Sequence, residues 1–304
     1  MIFELKSANK VREEISRKQQ KTLYKMYLEV YNNIVRDRKK MKGSAGRLQE
    51  IQLTMIQRDI KSYIQSLHSE MEKEIYHNIE DISRSVIDDT RAFLKTLGYV
   101  DVEGAFAYVP REIVNRIVNG QIYAGNWSLS NAIWGHTDDF NNKLSRIVAM
   151  GTTQGKSAYE IALDLEKYVN PAVAKKSRVI EFKVNGKKEK FYFGNVDYNA
   201  QRLARTMVSH AYQQTFQFVN EKDPFVKDYI WISSLEHGRT CSVCMERHGQ
   251  HFKKDELPLD HPNGMCTFEA YIPYSMNEIS DRLAKWYNSP AGTYPDLDTY
   301  AEMF

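Results

Sequence analysis

The chain has 304 residues, 42% of them hydrophobic and 27% charged, a composition typical of a folded globular protein rather than a disordered one. No apolar run approaches the length of a membrane span, and the first residues lack the apolar core of a signal peptide. We therefore expect no membrane segment and no secretion. The three cysteines are an odd number, which argues against a disulfide framework.

The net charge is only +3, but positive charge is concentrated near the start of the chain. The first 50 residues carry 13 Lys or Arg and 6 Asp or Glu, with most of the excess in VRDRKKMKGSAGR. Such a segment can bind nucleic acid or an acidic protein surface. A solvated helix end also explains it, because basic residues suit a helix C-terminus. The residues predicted to bind nucleic acid or a partner are Arg36, Arg38, Lys39, Lys40, Lys42 and Arg47.

Two long helices are predicted first, because residues 1–42 and 47–97 contain no Gly or Pro and repeat apolar residues at helical spacing. Gly43 and Gly46 mark the break between them. The second helix, if continuous, is roughly 75 Å long at 1.5 Å per residue. We expect an extended antiparallel hairpin or packing on other subunits. Two ordinary helices joined at an unmarked kink are the alternative.

Residues 98–228 predict a helical body. A short helix begins at Pro110, and a capping box of Ser157 and Glu160 starts another. The segment RVIEFKVNGKKEKFYF alternates about an Asn-Gly pair, which predicts a β-hairpin near 178–193. The segment NAQRLARTMVSHAYQQTFQFVN then predicts a helix, in which we expect His210 to be a buried, hydrogen-bonded histidine.

The last part of the chain is predicted to be β-rich, because YIWISSL and TFEAYIP favour strands on either side of the cysteines. The predicted fold class is therefore mainly α with a small β-rich C-terminal module, that is, α+β. The predicted domains are an extended helical hairpin over 1–97, a helical body with the β-hairpin over 98–228, and the Cys/His module with a C-terminal tail over 229–304.

All three cysteines lie in one 26-residue window of the predicted module. Cys241 and Cys244 form a C-x2-C pair, 16 residues separate Cys244 from His261, and four separate His261 from Cys266. Two thiolates at C-x2-C spacing can bind one tetrahedral ion from a tight turn. The sequence thus predicts a structural Zn²⁺ site of the Cys3His type, which would stabilise a module with little core of its own.

Three other interpretations of this window remain open. A thioredoxin-like redox pair would precede a helix in a βαβ unit, which the segment does not resemble. A catalytic zinc needs an open coordination position, which four protein ligands do not leave. A cluster of buried thiols without metal is the third. His237, His248 and His251 lie close in sequence and could replace His261 as a ligand.

The same window resembles a known family. Trp231, then RTCSVC, then HPNGMC are similar to the C-terminal signature of the phage head morphogenesis proteins, the minor head proteins of tailed phages that include the Mu F-like group. That signature is a Trp, R-T-C-x-x-C and H-P-N-C-R-C. This chain departs from it at Gly264 and Met265 but keeps the final Cys266. WSLSNAIWG, GKSAYEIALDL and RLARTMVSHAYQQT resemble the family's helical portion, so the resemblance covers about 125–272.

The resemblance implies a virion protein: a minor capsid protein of the capsid interior or portal vertex, present in the host cytoplasm during assembly. It implies a role in head assembly beside the portal protein, with an influence on DNA packaging or delivery in some members. The implied partners are the portal, the scaffold or major capsid protein, and DNA without sequence preference. No P-loop, G-x-S-x-G or H-E-x-x-H motif is present, so we expect no enzymatic activity and no catalytic residue. The alternative is a zinc-containing nuclease or another DNA-processing enzyme.

Overall fold

A computed structural model describes residues 2–40, 47–99, 102–123, 125, 128–170, 179–184, 187–192, 198–235 and 240–304 of the chain. For 47–50, 134, 136, 179–184, 187–192, 198 and 199 the description covers the backbone. The chain is mainly helical, with 68% of its residues in helices, and it contains a small antiparallel sheet. This confirms the predicted predominance of helix beside a small amount of β-structure.

The helices and strands of the described residues follow one another in a simple order along the chain. They are β1 (Ile2–Glu4), α1 (Lys6–Lys40), α2 (Arg47–Thr96), α3 (Val109–Val118), α4 (Leu129–Thr153), α5 (Ala158–Val169), β2 (Val179–Val184), β3 (Lys187–Tyr192), α6 (Tyr198–Glu221), β4 (Asp228–Ile232), α7 (Ser242–Arg247), β5 (His251–Phe252), β6 (Thr267–Tyr271), α8 (Met276–Tyr287) and α9 (Pro295–Ala301).

These elements form two compact units, each built from separate stretches of the chain. Unit 1 combines Met1–Ser16, Ile75–Asn126 and Arg205–Phe304, and unit 2 combines Arg17–Glu74 and Trp127–Ala204. The division predicted from the sequence, into 1–97, 98–228 and 229–304, follows the chain linearly and stays a prediction. Helices α1, α2 and α6 each contribute residues to both units.

The two long helices are each continuous, so α2 is one helix of 50 residues rather than two joined at a kink. Within unit 2 the helices run antiparallel. Ile34 lines a small cavity with Ile56 and Ile60, whereas Met26, nearer the start of α1, lines another with Leu67. The antiparallel arrangement lets the apolar stripe of each helix bury that of the other, which gives these helices the core that neither has alone.

Helices α4 and α5 complete the described helical core of unit 2. Ser157 caps α5 and forms the predicted capping box with Glu160: the Ser157 hydroxyl accepts the Glu160 backbone N–H, and the Glu160 carboxylate accepts the Ser157 backbone N–H. Gly151 of α4 packs against Ile161 of α5. Strands β2 and β3 pair from Val179–Tyr192 to Val184–Lys187, which confirms the hairpin, while Asn185 and Gly186 lie outside the described residues.

Unit 1 is organised around a four-stranded antiparallel sheet with the strand order β1-β6-β4-β5. Trp231 of β4 pairs with Phe268 of β6, and both side chains are buried. Phe216 of α6 packs on Phe268 and on Tyr229, so the helix covers one face of the sheet with an aromatic core. This core positions the segments that carry the cysteines, because β4 leads toward α7 and β6 begins directly after Cys266.

Two features of this sheet differ from the sequence expectation. Residues Ile2–Glu4, predicted as the start of a helical hairpin, form the edge strand β1 and pair with β6. The predicted tight turn at Cys241 is the N-terminus of the six-residue helix α7. The C-terminal part also contains α8 and α9, so it is mixed α and β. A three-residue strand carries too little pattern of its own, and its partner β6 lies at the other end of the chain.

Candidate metal centre

The four predicted metal ligands form a possible metal-binding group within unit 1, referred to here as the Cys/His cluster: Cys241, Cys244, His261 and Cys266. Cys241 and Cys244 lie at the N-terminus of α7, whereas His261 and Cys266 lie in the ligand loop, residues 260–266. Sequence spacing therefore identified side chains that the fold brings together from two separate segments.

The donor atoms form two triads that share Cys244. The outer triad contains Cys241, Cys244 and His261, and the Cys241 Sγ lies 3.3 Å from the His261 Nε2. The inner triad contains Cys244, Cys266 and Asp260, a residue that the sequence analysis did not select. Within each triad all donor atoms lie within 4.8 Å of one another. Thiol, imidazole and carboxylate groups in this number suit a transition-metal ion such as Zn²⁺.

The environment treats the three thiols differently. Cys241 caps α7, and the Cys244 backbone N–H that points at its Sγ lowers the pKa of the Cys241 thiol. Burial raises the pKa of Cys244, and the neighbouring Cys266 and the charge of Asp260 raise it further. Burial and then Asp260 likewise raise the pKa of Cys266. The inner thiols are therefore protonated in the metal-free protein, and metal binding would release protons from them.

The ligand loop is held in shape by its own backbone and by Asp260. The Asp260 Oδ1 accepts the His261 backbone N–H at 2.9 Å, and its Oδ2 accepts the Cys266 backbone N–H at 3.2 Å. The Gly264 N–H donates to the His261 carbonyl at 2.8 Å, which closes a turn, and Asn263 has a positive φ of 68° within it. The backbone of the two loop ligands is thus fixed before any ion arrives.

Helix α6 supports the ligand loop from below. Along one side of α6, five polar side chains hydrogen-bond to residues 258–264: Arg205, Thr206, Ser209, His210 and Gln213. For example, the Ser209 hydroxyl donates to the Gly264 carbonyl at 2.7 Å. Their spacing of one, three, one and three residues places them on one helix face. That polar face within an otherwise buried helix is the sequence signal that could have identified them.

His210 is buried and fully hydrogen-bonded, as predicted. Its Nε2 lies 2.9 Å from the Asp260 carbonyl, which can only accept, so Nε2 carries the proton. Its Nδ1 then accepts the Tyr123 hydroxyl at 2.8 Å. Burial lowers the pKa of His210, which keeps the ring neutral in this arrangement.

Arg12 of α1 reaches the same loop from the start of the chain. Its guanidinium donates to the Cys266 carbonyl at 2.8 Å and to the Met265 carbonyl at 3.0 Å. The guanidinium carbon also stacks 4.3 Å above the centre of the Tyr212 ring. A buried cation is thus fixed beside the inner triad, at a distance along the chain that no local pattern could reveal.

The other histidines of the window have partners of their own. The His248 Nδ1 accepts the Ser233 backbone N–H at 3.1 Å, and the His251 Nδ1 lies 2.7 Å from the Asp228 carboxylate. His237 and Arg239 lie outside the described residues. Among the histidines that the structure describes, His261 is therefore the one whose ring reaches the cysteines.

The basic segment divides into residues with different roles. Arg38 is half-buried and forms an ion pair with Glu166 at 2.6 Å, and it donates to the Tyr159 hydroxyl at 2.9 Å. Arg36, Lys39 and Lys40 are exposed on the last turns of α1; Lys40 also lies 3.4 Å from the Asp37 carboxylate. The remaining predicted binding residues, Lys42 and the side chain of Arg47, lie outside the described residues.

Comparison with models of protein families, with curated proteins and with solved structures gave no match to this chain. Across the ranges that the structure describes, none of the helices combines the length and the hydropathy that crossing a bilayer requires.

Proposed function

We propose that this chain is a phage minor head protein that acts in capsid and portal assembly, and that its Cys/His cluster holds a structural zinc ion. The observation that supports the metal is the convergence of three thiols and His261 in a loop already fixed by its own hydrogen bonds. The three thiolates supply three ligands, and sequence spacing gives His261 as the fourth. When bound, the ion supplies crosslinks between α7 and the ligand loop.

The assembly role rests on the sequence pattern from Trp231 to Cys266, and two structural features agree with it. The long helices α1 and α2 offer extended surfaces with exposed apolar side chains, among them Ile51, Met55 and Tyr76. The hydrogen bonds around the cluster join it to α6 and α1. They hold structural elements together, as expected of a group that stabilises a fold.

The metal is tested by elemental analysis of the purified chain, which should contain about one zinc ion per molecule. Cys244→Ser should lose that ion, and hydrogen exchange should then accelerate in residues 240–266. Ser242→Ala, a change in the neighbouring exposed residue, is the matched control and should keep the metal. A metal-free protein whose exchange is unaffected by chelator would refute the structural zinc.

The partner is tested by co-expression with the portal protein of the same phage. The two proteins should co-purify, and the portal of an unrelated phage should not be captured. Failure to bind the cognate portal contradicts the assembly role. The alternative of a nuclease predicts cleavage of plasmid DNA on addition of Mg²⁺, Mn²⁺ or Zn²⁺, and such cleavage would replace the structural interpretation.

DNA contact by the basic segment has a separate test. Replacing Arg36, Lys39 and Lys40 with Ala should weaken binding to duplex DNA and reduce the slope of log affinity against log salt, because phosphate contacts release counterions. Arg38 is left unchanged because it binds Glu166. The control replaces the exposed residues Lys18, Lys21 and Lys25 of the same helix, which removes the same charge. Equal effects of the two triple substitutions would exclude a specific role for the segment.

A further inference from the structure

The Cys/His cluster and Asp260 together offer five donor side chains, one more than a tetrahedral ion binds. The five differ in their position. Cys244, Cys266 and Asp260 are only 2%, 6% and 4% exposed, whereas Cys241 lies at the surface with His261. The identity of the fourth ligand therefore depends on whether the carboxylate or the imidazole completes the set of three thiolates.

The burial of the Asp260 carboxylate calls for a positive partner, because a buried charge is stable only when it is paired or binds a metal. Among the described residues, no Lys or Arg side chain forms an ion pair with it. The hydrogen bonds to its two oxygens come from the backbone amides of His261 and Cys266. Arg12 contributes positive potential nearby, but its guanidinium donates to the carbonyls of Met265 and Cys266.

The position of this carboxylate is also built into the loop. A Cβ atom added at Gly264 would lie 2.2 Å from the Asp260 Oδ2 and 2.4 Å from its Oδ1. The carboxylate therefore occupies the space that a side chain at position 264 would need. Each carboxylate oxygen has a second lone pair beyond the one used by the backbone amide. These lone pairs remain for an ion between Asp260, Cys244 and Cys266.

The contacts of His261 fit a role outside the coordination sphere. Its Nδ1 lies 3.1 Å from the Pro262 carbonyl, so this nitrogen carries a proton. Its Nε2 lies 3.3 Å from the Cys241 Sγ. Two ligands on one tetrahedral zinc, with Zn–N of ~2.05 Å and Zn–S of ~2.3 Å, would lie about 3.6 Å apart. The shorter separation is that of a direct hydrogen bond between the ring and the sulfur.

We propose that Asp260 is the fourth metal ligand, binding through a carboxylate oxygen beside Cys241, Cys244 and Cys266, while His261 hydrogen-bonds to the Cys241 sulfur. This inference rests on the proposed zinc and changes the identity of one ligand. Four anionic ligands leave a negative charge on the bound centre, which the buried Arg12 guanidinium partly offsets. The exchange of a neutral imidazole for a carboxylate makes the set harder and more anionic than Cys3His.

The test is X-ray absorption at the zinc K-edge on the full chain loaded with one equivalent of Zn²⁺. The wild-type spectrum should show three sulfur scatterers and one oxygen, without the outer-shell scattering of an imidazole, and His261→Gln should leave it unchanged. Asp260→Asn should lower the zinc affinity by about 100-fold, the upper end of what loss of an outer-sphere partner costs. Asp255→Asn, an exposed acid nearby, is the matched control and should change neither measurement.

The wild-type spectrum decides the matter even if a variant fails to fold. Imidazole scattering that disappears in His261→Gln would overturn the assignment of Asp260 and leave the structural zinc intact. A chain that binds no zinc would overturn both proposals.

Discussion

Gly264→Ala is expected to destabilise the ligand loop strongly, although it adds a single methyl group. The new Cβ would lie 2.2 to 2.4 Å from the three carboxylate atoms of Asp260, far inside van der Waals contact. Overpacking of a tight site costs about 1–3 kcal/mol. Displacing the carboxylate also strains its bonds to the His261 and Cys266 amides, and a bond to a charged group contributes about 1.5–3 kcal/mol. Because the loop can relax in part, we expect a net loss of about 3 kcal/mol.

Native-state hydrogen exchange with peptide resolution suits this measurement, because a protein with two compact units need not unfold in one step. The amides of β4 and β6 report on the sheet beside the loop. Exchange is followed with saturating Zn²⁺ and with chelator, so that a change in metal affinity is not mistaken for a change in folding. Gly104→Ala is the control, because no atom lies within 4 Å of a Cβ placed there.

We expect Gly104→Ala to leave stability unchanged or to raise it by up to about 1 kcal/mol, through the lower entropy of the unfolded chain. The reasoning about Gly264 is refuted if Gly264→Ala exchanges like the wild type in both conditions. In that case the Asp260 carboxylate can leave its position freely, and the backbone bonds assigned to it do not shape the loop.

Three further predictions concern unit 2. Gly151→Ala should cost about 1–3 kcal/mol in urea unfolding, because its Cβ would meet the Ile161 side chain at 2.5 Å; a neutral result would show that α4 and α5 can separate freely. Ser157→Ala removes the capping box with Glu160 and should cost about 1 kcal/mol, whereas Ser157→Asp should retain most of the stability. Burial lowers the pKa of His68, so the unfolded chain binds a proton that the folded one resists. Stability should thus be full above about pH 6.5 and fall as the pH drops below it, and His68→Gln should flatten this dependence between pH 7 and 5.

The features that the sequence predicted correctly are those carried by local patterns. The apolar spacing of α1 and α2 gave two long helices, and Ser157 with Glu160 gave a helix start that the structure confirms. The spacing of Cys241, Cys244, His261 and Cys266 indicated a cluster because short loops and turns limit where such residues can go. In each case the interacting residues are close in sequence or follow a periodic rule.

The features that the sequence did not reveal depend on contacts between distant segments. Strand β1 pairs with β6 across nearly the whole chain, and nothing in its three residues demands that partner. Arg12 lies in a basic, exposed-looking helix start, yet it is buried against the Cys266 carbonyl. Asp260 looked like an ordinary loop acid, and its role follows only from the backbone fold that brings it over Gly264.

These long-range contacts change what loss of the metal should do. The zinc was predicted as a substitute for a missing core, but the sheet buries Trp231, Tyr229 and Phe268 completely, with Phe216 of α6 packed on them. A cluster of such side chains contributes about 1.5–3 kcal/mol for each residue buried. The sheet therefore has a core independent of the ion. The hydrogen bonds from α6 and Arg12 stop at the ligand loop, so the part that depends on the metal is the connection between this loop and α7. Metal removal should accordingly loosen residues 240–266 while β4 and β6 stay paired, which is the behaviour of a local crosslink rather than of a folding nucleus.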